Sequence, residues 1–324
     1  MKIDFVILWV DGNDPKWLKQ KNKYLNIKGD SSKNRFRDCN NLQYLFRGIE
    51  EYASWVNNIY FITWGHLPNW LNVKHPKIKV VKHEEFIPKK YLPTFNSNVI
   101  ELNLHRIKDL SEHFVLFNDD LFILNNLKQE DFFNNYLPND VYIEFTKKKC
   151  SARHKNIRSN YLKIINKYFN KKECIKNNLS KILNRKYGLG NFKTIFNLKK
   201  PYSDFISFHL TQSCLKSTFK TVWAKETKRL SNSCFNKFRA ESDIGRGIFR
   251  YWNLLEGKFF PYKSLGNYYV MKDDNKDLVS VITNRKHKII CINDTDVNID
   301  FEKAKNEINE ALNSILPKKS SFEK

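Results

Sequence analysis

Glycine is scarce in this chain, and so are the loops that glycine builds: 324 residues include 10 glycines, 9 prolines, 6 cysteines and 2 methionines. Neither G-x-G-x-x-G nor G-x-x-x-x-G-K occurs, so a dinucleotide fingerprint and a P-loop are both excluded, and any phosphate must be held another way. The cysteines (Cys39, Cys150, Cys174, Cys214, Cys234 and Cys291) contain no C-x-x-C pair, which argues against zinc and against a small disulfide scaffold. A reducing cytoplasm is expected. Long apolar runs are missing too. The first, Phe5 to Val10, is too short for the core of a signal peptide, and no segment is long enough to span a bilayer. Membrane association is therefore expected to be peripheral.

Acids are also in short supply, with 34 Asp and Glu against 57 Lys and Arg, for a formal charge of +23. The chain expects an anionic partner, but a nucleic acid, a nucleotide, an anionic glycan and an acidic membrane surface satisfy that charge equally. Hydrophobic residues at 41% and aromatics at 15% belong to a globular protein. One elaborated domain over 1–324 is expected, with an α/β part at 1–146, a basic helical insertion rich in Lys and Asn at 147–200, and a second part at 201–324.

Four apolar runs, IDFVILWV, NIYFITW, KIKVV and HFVLF, read as buried strands. Among them, Leu42, Leu45, Phe46 and Ile49, and again Ile100, Leu104 and Ile107, follow helical spacing. Nearly continuous apolar strands alternating with helices predict an α/β fold: a mostly parallel, Rossmann-like sheet flanked by helices. Ligands of such sheets bind outside the carboxyl ends of the strands. Here those ends read Asp11-Gly12-Asn13-Asp14, Gly65-His66, His83-Glu84-Glu85 and Asn118-Asp119-Asp120, and they are expected to line one crevice. A late strand, KHKIICIND, ends in Asn293-Asp294 and is expected to rejoin the same sheet, while SCFNKFRAESDIGRGIFRYWNLLEG reads as helix.

Each candidate residue also has a plain structural explanation. Asp119 and Asp120 could simply open a turn. A second acidic strand end at Asp294 favours instead a hard cation beside a phosphate, Mg²⁺ or Mn²⁺. Asn98 and Glu101 have the spacing of a helix capping box, and His105 shares a helix face with Glu101. Taken alone, His209 reads as a structural histidine and Arg239 as a solvated helical arginine. The sharper alternative is a proton carrier and a cation for a transferring phosphoryl group. Tyr161, Tyr168 and Phe169 lie among lysines and could stack on bases, but core packing explains them better.

Together these stretches resemble a known family. IDFVILWVDGNDPKW, RFRDCNNLQYLFRGIEEYASWVNNIYFITWGHLPNWL and LPTFNSNVIELNLHRIKDLSEHFVLFNDDLF resemble the first two conserved regions of the Stealth proteins. Those are hexose-1-phosphate transferases of bacterial capsule and surface-glycan synthesis, related to the lysosomal-enzyme GlcNAc-1-phosphotransferase. FHLTQSCLKSTF with NKFRAESD is similar to the third region. IICINDTDVNIDFEKAKNEINEALNSILPKKSSFE is similar to the fourth, down to its closing Pro-x-x-Ser-x-Phe-Glu. The resemblance puts the family's active-site glutamate at Glu101, its Asn and Asp at Asn118 and Asp120, its histidine at His209 and its arginine at Arg239. It puts Asp11, Gly12, Asp14, Arg35 and Asp38 at the donor nucleotide. The chain departs from the family at Asn98, where histidine is frequent, and at Thr211, where a proline is frequent.

The resemblance implies a GT-A-like fold and transfer of a hexose 1-phosphate from a UDP-sugar to a glycan hydroxyl, with UMP released. His209 is the expected general base and Asp120 its competitor. Asp120 with Asp294 is expected to hold Mg²⁺ or Mn²⁺, and Arg239 to balance charge on the phosphoryl oxygens. The acceptor is expected on a lipid carrier at the inner face of the plasma membrane, with no nucleic-acid partner. One rival is an ordinary UDP-sugar glycosyltransferase, which releases UDP. The other is a basic polyanion-binding module, for which acids at a crevice have no use.

Overall fold

A computed structural model describes residues 1–26, 38–145, 152–294 and 299–324. The four apolar runs form β1 (Ile3–Leu8), β2 (Ile59–Thr63), β3 (Ile78–Lys82) and β4 (His113–Asn118). Four further strands matter to the site: β5 (Leu121–Ile123), β6 (Gln212–Leu215), β7 (Gly266–Val270) and β8 (Ile289–Asn293). The main sheet is ordered β6-β4-β1-β2-β3, all parallel except β6, which adds to β4 antiparallel. The α/β fold with a mostly parallel sheet is thus as expected.

Alternation along β1 shows why its run is unbroken. Val6 points into one apolar core with Ile62 and Leu116, while Phe5 and Ile7 point into the other with Phe61 and Phe117. Both faces of the strand are buried, so both sets of positions are apolar from Phe5 onward, and the one buried acid, Asp4, is held by the Asn57 side chain and the Asn58 and Ser111 amides. The helices α1 (Pro15–Asn22) and α2 (Leu42–Tyr52) lie between β1 and β2, and α3 (Ser97–Asn103) between β3 and β4.

The late strand does not rejoin the main sheet. β8 lies in a second, three-stranded sheet of order β7-β8-β5, antiparallel to β5. The chain leaves β4 through Asn118-Asp119-Asp120, and β5 then offers its edge to β8, with the Ile292 amide donating to the Asp120 carbonyl at 2.8 Å. Gly48 lets α2 lie directly on β5, because a Cβ there would stand 2.8 Å from the Ile123 carbonyl oxygen.

The insertion is helical as expected, in α4 (Ala152–Tyr168), α5 (Lys171–Ile182) and α6 (Gly190–Asn197), but it is no appendage. Ile164 and Ile165 are fully buried, Tyr161 packs edge-on to Tyr251, and Tyr168 and Phe169 pack on Trp252 at 5.2 and 4.9 Å. Those aromatics are core rather than stacking platforms. The stretch from Ser233 to Gly257 is likewise not one helix. α7 (Lys216–Cys234) ends, a loop follows, and α8 (Gly247–Leu255) begins anew. Arg239 therefore sits on a loop. The competing structure is a hub at Asp243, a fully buried carboxylate that accepts from the side-chain amides of Asn96, Asn98 and Asn236 at 2.7 to 2.9 Å and from the Ala240 amide at 3.0 Å. Four donors on one carboxylate fix the loop more firmly than helical spacing could override. α9 (Phe301–Ile315) follows β8.

The closing Pro-x-x-Ser-x-Phe-Glu acts as a clasp. Phe322 is buried against Phe46, and the Glu323 carboxylate takes two bonds of 2.9 Å from the Arg47 guanidinium. Glu323→Ala leaves Arg47 half-desolvated without its counter-charge. It is expected to cost about 3 kcal/mol, read as a lowered denaturant midpoint.

Acid should loosen this fold for a separate reason. Burial pushes the imidazoles of His83 and His105 down to about 3, with His66 adding to the shift at His83 and Arg106 at His105. Both stay neutral when folded, whereas the unfolded chain protonates them below about 6.5. The stability they contribute is thus complete above pH 6.5 and is lost as pH falls toward 3. Chemical-denaturation curves at stepped pH should show that decline, flattened in His105→Gln.

Candidate active site

The carboxyl ends of β1, β4 and β8, the segment before β6, and the start of α8 enclose a cleft of about 1330 Å³. Among its lining residues are Asp38, Glu101, Asn118, Asp119, Asp120, His209, Arg239 and Asp294. A buried strand ends in acids here because β4 delivers them to the floor of this cleft. Three of the donor-side expectations lie elsewhere: Asp11, Gly12 and Asp14 are not among the lining residues. Asp14 caps α1, accepting from the Trp17 amide at 2.7 Å, and Asp11 accepts from the Asn13 amide at 2.8 Å. Arg35 is outside the described residues. Asp38 does face the cleft, and burial raises its carboxyl above the usual range although the Asn40 amide donates to it.

Asp120 has one satisfied oxygen and one that is not. Its Oδ2 accepts from the Asn293 side-chain amide at 3.1 Å and the Cys291 thiol at 3.3 Å, while Oδ1 is buried with no hydrogen-bond partner among the described residues. An orphaned carboxylate oxygen on a cleft floor fits a hard cation. Ligand atoms of Asp120, His209 and Cys291 lie within 4.8 Å of one another. Burial pushes the Cys291 thiol far up, so Asp120 and His209 are the better donors of that group. Asp294 follows Asn293 directly and lines the same cleft. Asp119 is open to water by surface area yet deep in the cleft by the bulk of protein around it. That burial and the charge of Asp120 push it up to about 7.

His209 occupies the left-handed region, φ 55°, which is costly for any residue but glycine by roughly 1 kcal/mol or more. Its ring stands edge-on to Tyr268, another lining residue, at 5.3 Å. The ring is open to water by surface area, yet the protein packed around it in the cleft holds the imidazole below its ordinary 6.5, against the pull of Asp120, so it is neutral at neutral pH. Arg239 donates to Ser97 Oγ at 2.7 Å, and Ser97 opens α3.

The capping-box explanation of Asn98 and Glu101 fails. α3 is capped by Asn96, whose side chain accepts from the Asn98 amide at 3.1 Å, and Asn98 turns to Asp243. Glu101 is left for Arg246, which lies in the stretch expected to be helical and stands just before α8. Arg246 Nη1 donates to Glu101 Oε1 at 3.1 Å and to Asn118 Oδ1 at 3.0 Å. No spacing rule signals it, since Glu101 and Arg246 are 145 residues apart. His105 forms part of a short 3₁₀ turn after α3 and packs on Phe219 and Trp223, a structural role.

Family models match the chain in three places: Stealth protein conserved region 1 at residues 1–29, conserved region 2 at 35–140 and conserved region 4 at 280–324. A capsular polysaccharide phosphotransferase WcwK of Streptococcus pneumoniae is 44% identical over 99% of both chains. The exopolysaccharide phosphotransferase cps2G of Lactiplantibacillus plantarum is 35% identical over 99% of this chain and 96% of its own. A solved galactosyltransferase, LgtC, with donor and acceptor sugar analogues, is similar across 98% of each chain at a TM-score of 0.42 and 9% identity. Identity of 44% across the whole length makes this chain a member of the Stealth family, and an enzyme of the transferase class.

Proposed function

We propose that the protein moves a hexose 1-phosphate from a UDP-sugar onto a hydroxyl of a growing glycan, forming a phosphodiester and releasing UMP, in capsular or surface polysaccharide synthesis. The observation that carries this reading is the convergence of Glu101, Asn118, Asp120, His209 and Arg239 in one cleft. Transfer of this kind needs a base, positive charge and a cation anchor at one point, and little else. The names of the relatives, polysaccharide phosphotransferases, support it.

In this reading the acceptor oxygen attacks the phosphorus that carries the sugar, and the phosphoanhydride bond to UMP breaks. The anomeric carbon is untouched. His209, neutral and within the cleft, accepts the acceptor proton, and Arg239 faces the charge on the phosphoryl oxygens. Asp120, with Asp294, would hold Mg²⁺ or Mn²⁺, which when bound supplies neutralisation of diphosphate charge. That use of Asp120 favours His209 as the base. Glu101 and Asn118, tied together by Arg246, set the position of the donor. Asp38, which lines the cleft, is assigned to the nucleotide; Asp11, Gly12 and Asp14 are not among the lining residues and are not assigned to it. The domain acts as one catalytic unit over its length.

Among the described residues no helix is long and apolar enough to cross a membrane. A glycan acceptor on a lipid carrier is met by peripheral association with the inner face of the plasma membrane, from the cytoplasm. The test of the reaction is to incubate the protein with Mg²⁺, a panel of UDP-sugars and a glycan acceptor, and to resolve the nucleotide product. UMP that disappears in His209→Ala supports the reading; UDP moves the protein to the ordinary glycosyltransferases.

A further inference from the structure

Helix α6 is inside out. Its buried residues are Thr194 and Asn197, both polar, whereas Phe192, Ile195 and Phe196 are exposed, Phe196 by 77%. The polar side has a reason to be inside. Thr194 Oγ1 accepts from the Glu144 amide at 3.2 Å, and the Asn197 side-chain amide donates to the Glu144 carbonyl at 3.4 Å. The helix is thus fastened by polar bonds to the strand segment at Glu144, and its apolar face is left over. Leu189, 81% exposed, precedes the helix, and Leu179 on α5 is exposed as well. Five of the large hydrophobics that the fold leaves exposed therefore fall within residues 179–196. A surface helix ordinarily buries its apolar stripe, and a concentrated exposed patch marks an interaction site.

Charge says what covers it. From Lys171 to Lys200 the chain carries nine Lys and Arg against one acid, Glu173. Lys171, Lys181 and Lys186 are used internally, on Glu144 and on the carbonyls of Gly257 and Pro261. Lys172, Lys176, Arg185, Lys193, Lys199 and Lys200 are exposed. A second copy meeting this face through the same patch would press two such cationic sets together. Phenylalanine and leucine amid lysines instead match the boundary of an anionic bilayer: the apolar side chains enter the acyl edge while the ammonium groups stay at the headgroups.

We propose that Leu189, Phe192, Ile195 and Phe196, with Lys193, Lys199 and Lys200, form a docking surface for an anionic lipid membrane. The proposal rests on the reading that the acceptor is presented at such a membrane, and it adds the surface that reaches it. The placement suits the chemistry, because Asp140 and Val141, four and three residues before Glu144, line the cleft. The chain that leads into the strand segment carrying the docking helix thus also forms a wall of the site.

The test uses the full chain and sedimentation with vesicles of phosphatidylglycerol and phosphatidylcholine, or of phosphatidylcholine alone. The wild type should pellet with the anionic vesicles. Phe192→Ser with Phe196→Ser, and separately Lys193→Glu with Lys199→Glu and Lys200→Glu, should each lower the apparent affinity at least tenfold. All these side chains are exposed, so thermal midpoints should match the wild type. Loss of turnover on a water-soluble acceptor is not expected in either variant. Wild-type affinity in the double phenylalanine variant would overturn the proposal, as would a wild type that ignores anionic vesicles. A dimer in size-exclusion chromatography that the same two substitutions dissociate, without vesicle binding, would assign the face to a second copy instead and overturn it too. Nucleotide product measured on the same preparations separates the two readings. UDP with vesicle binding removes the phosphotransfer reading and keeps this surface, whereas UMP without vesicle binding does the reverse.

Discussion

Asp120→Asn is expected to lower kcat by roughly a hundredfold or more, the scale of losing one essential electrostatic or acid-base group. The substitution keeps size and shape, and an amide can still meet Asn293. What it removes is the negative charge at the buried Oδ1, which has no partner among the described residues. If that oxygen anchors the cation, the residual activity should demand far more Mg²⁺ than the wild type, so titrating the metal in a UMP-release assay is the measurement. A loss of kcat with an unchanged metal requirement would shift Asp120 toward the base role. His209→Ala provides the complement. Its loss should be of similar size, and added imidazole should restore part of it, since a small base can fill the space the ring leaves. Failure of imidazole to rescue, with metal affinity weakened instead, would make His209 a ligand.

The second large effect is expected at Arg246. Arg246→Ala removes the one guanidinium nitrogen that holds Glu101 and Asn118 in a common frame, and it leaves a carboxylate in the cleft wall without its counter-charge. A displacement of about an ångström at a reacting centre can cost roughly a hundredfold, so kcat should fall on that order. KM for the donor should change less, because the substituted residue positions the site through its neighbours. Arg246→Lys should recover only a part, as an ammonium lacks the planar fork. Kinetics of the three forms under saturating donor decide it: a fall confined to KM would make Arg246 a binding residue, and an Arg246→Lys variant equal to wild type would show that charge alone suffices.

The contrast between Glu101 and Arg246 shows what could be read from the chain. Glu101 was legible through its resemblance to a conserved motif, yet its local spacing from Asn98 suggested a helix cap that the fold does not make. Arg246 was invisible because its partners come from α3 and β4, far away in sequence, and an arginine in a helical context reads as solvated. Arg239 was found but misplaced, since the apolar spacing around it hid the Asp243 hub that breaks the helix.

By itself the sequence determined the four parallel strands, because a strand covered on both faces is apolar at nearly every position, and that pattern admits few other readings. It determined as well that acids would stand at the end of β4. The tertiary structure alone decided which other groups meet them. The edge of β5 drew β8 out of the main sheet, which brought Asn293 to Asp120 and Asp294 into the same cleft. Hydrogen bonds to Glu144 turned α6 so that its phenylalanines face outward. Periodicity records which positions are alike along one element, whereas pairing between distant elements depends on geometry that no local pattern encodes.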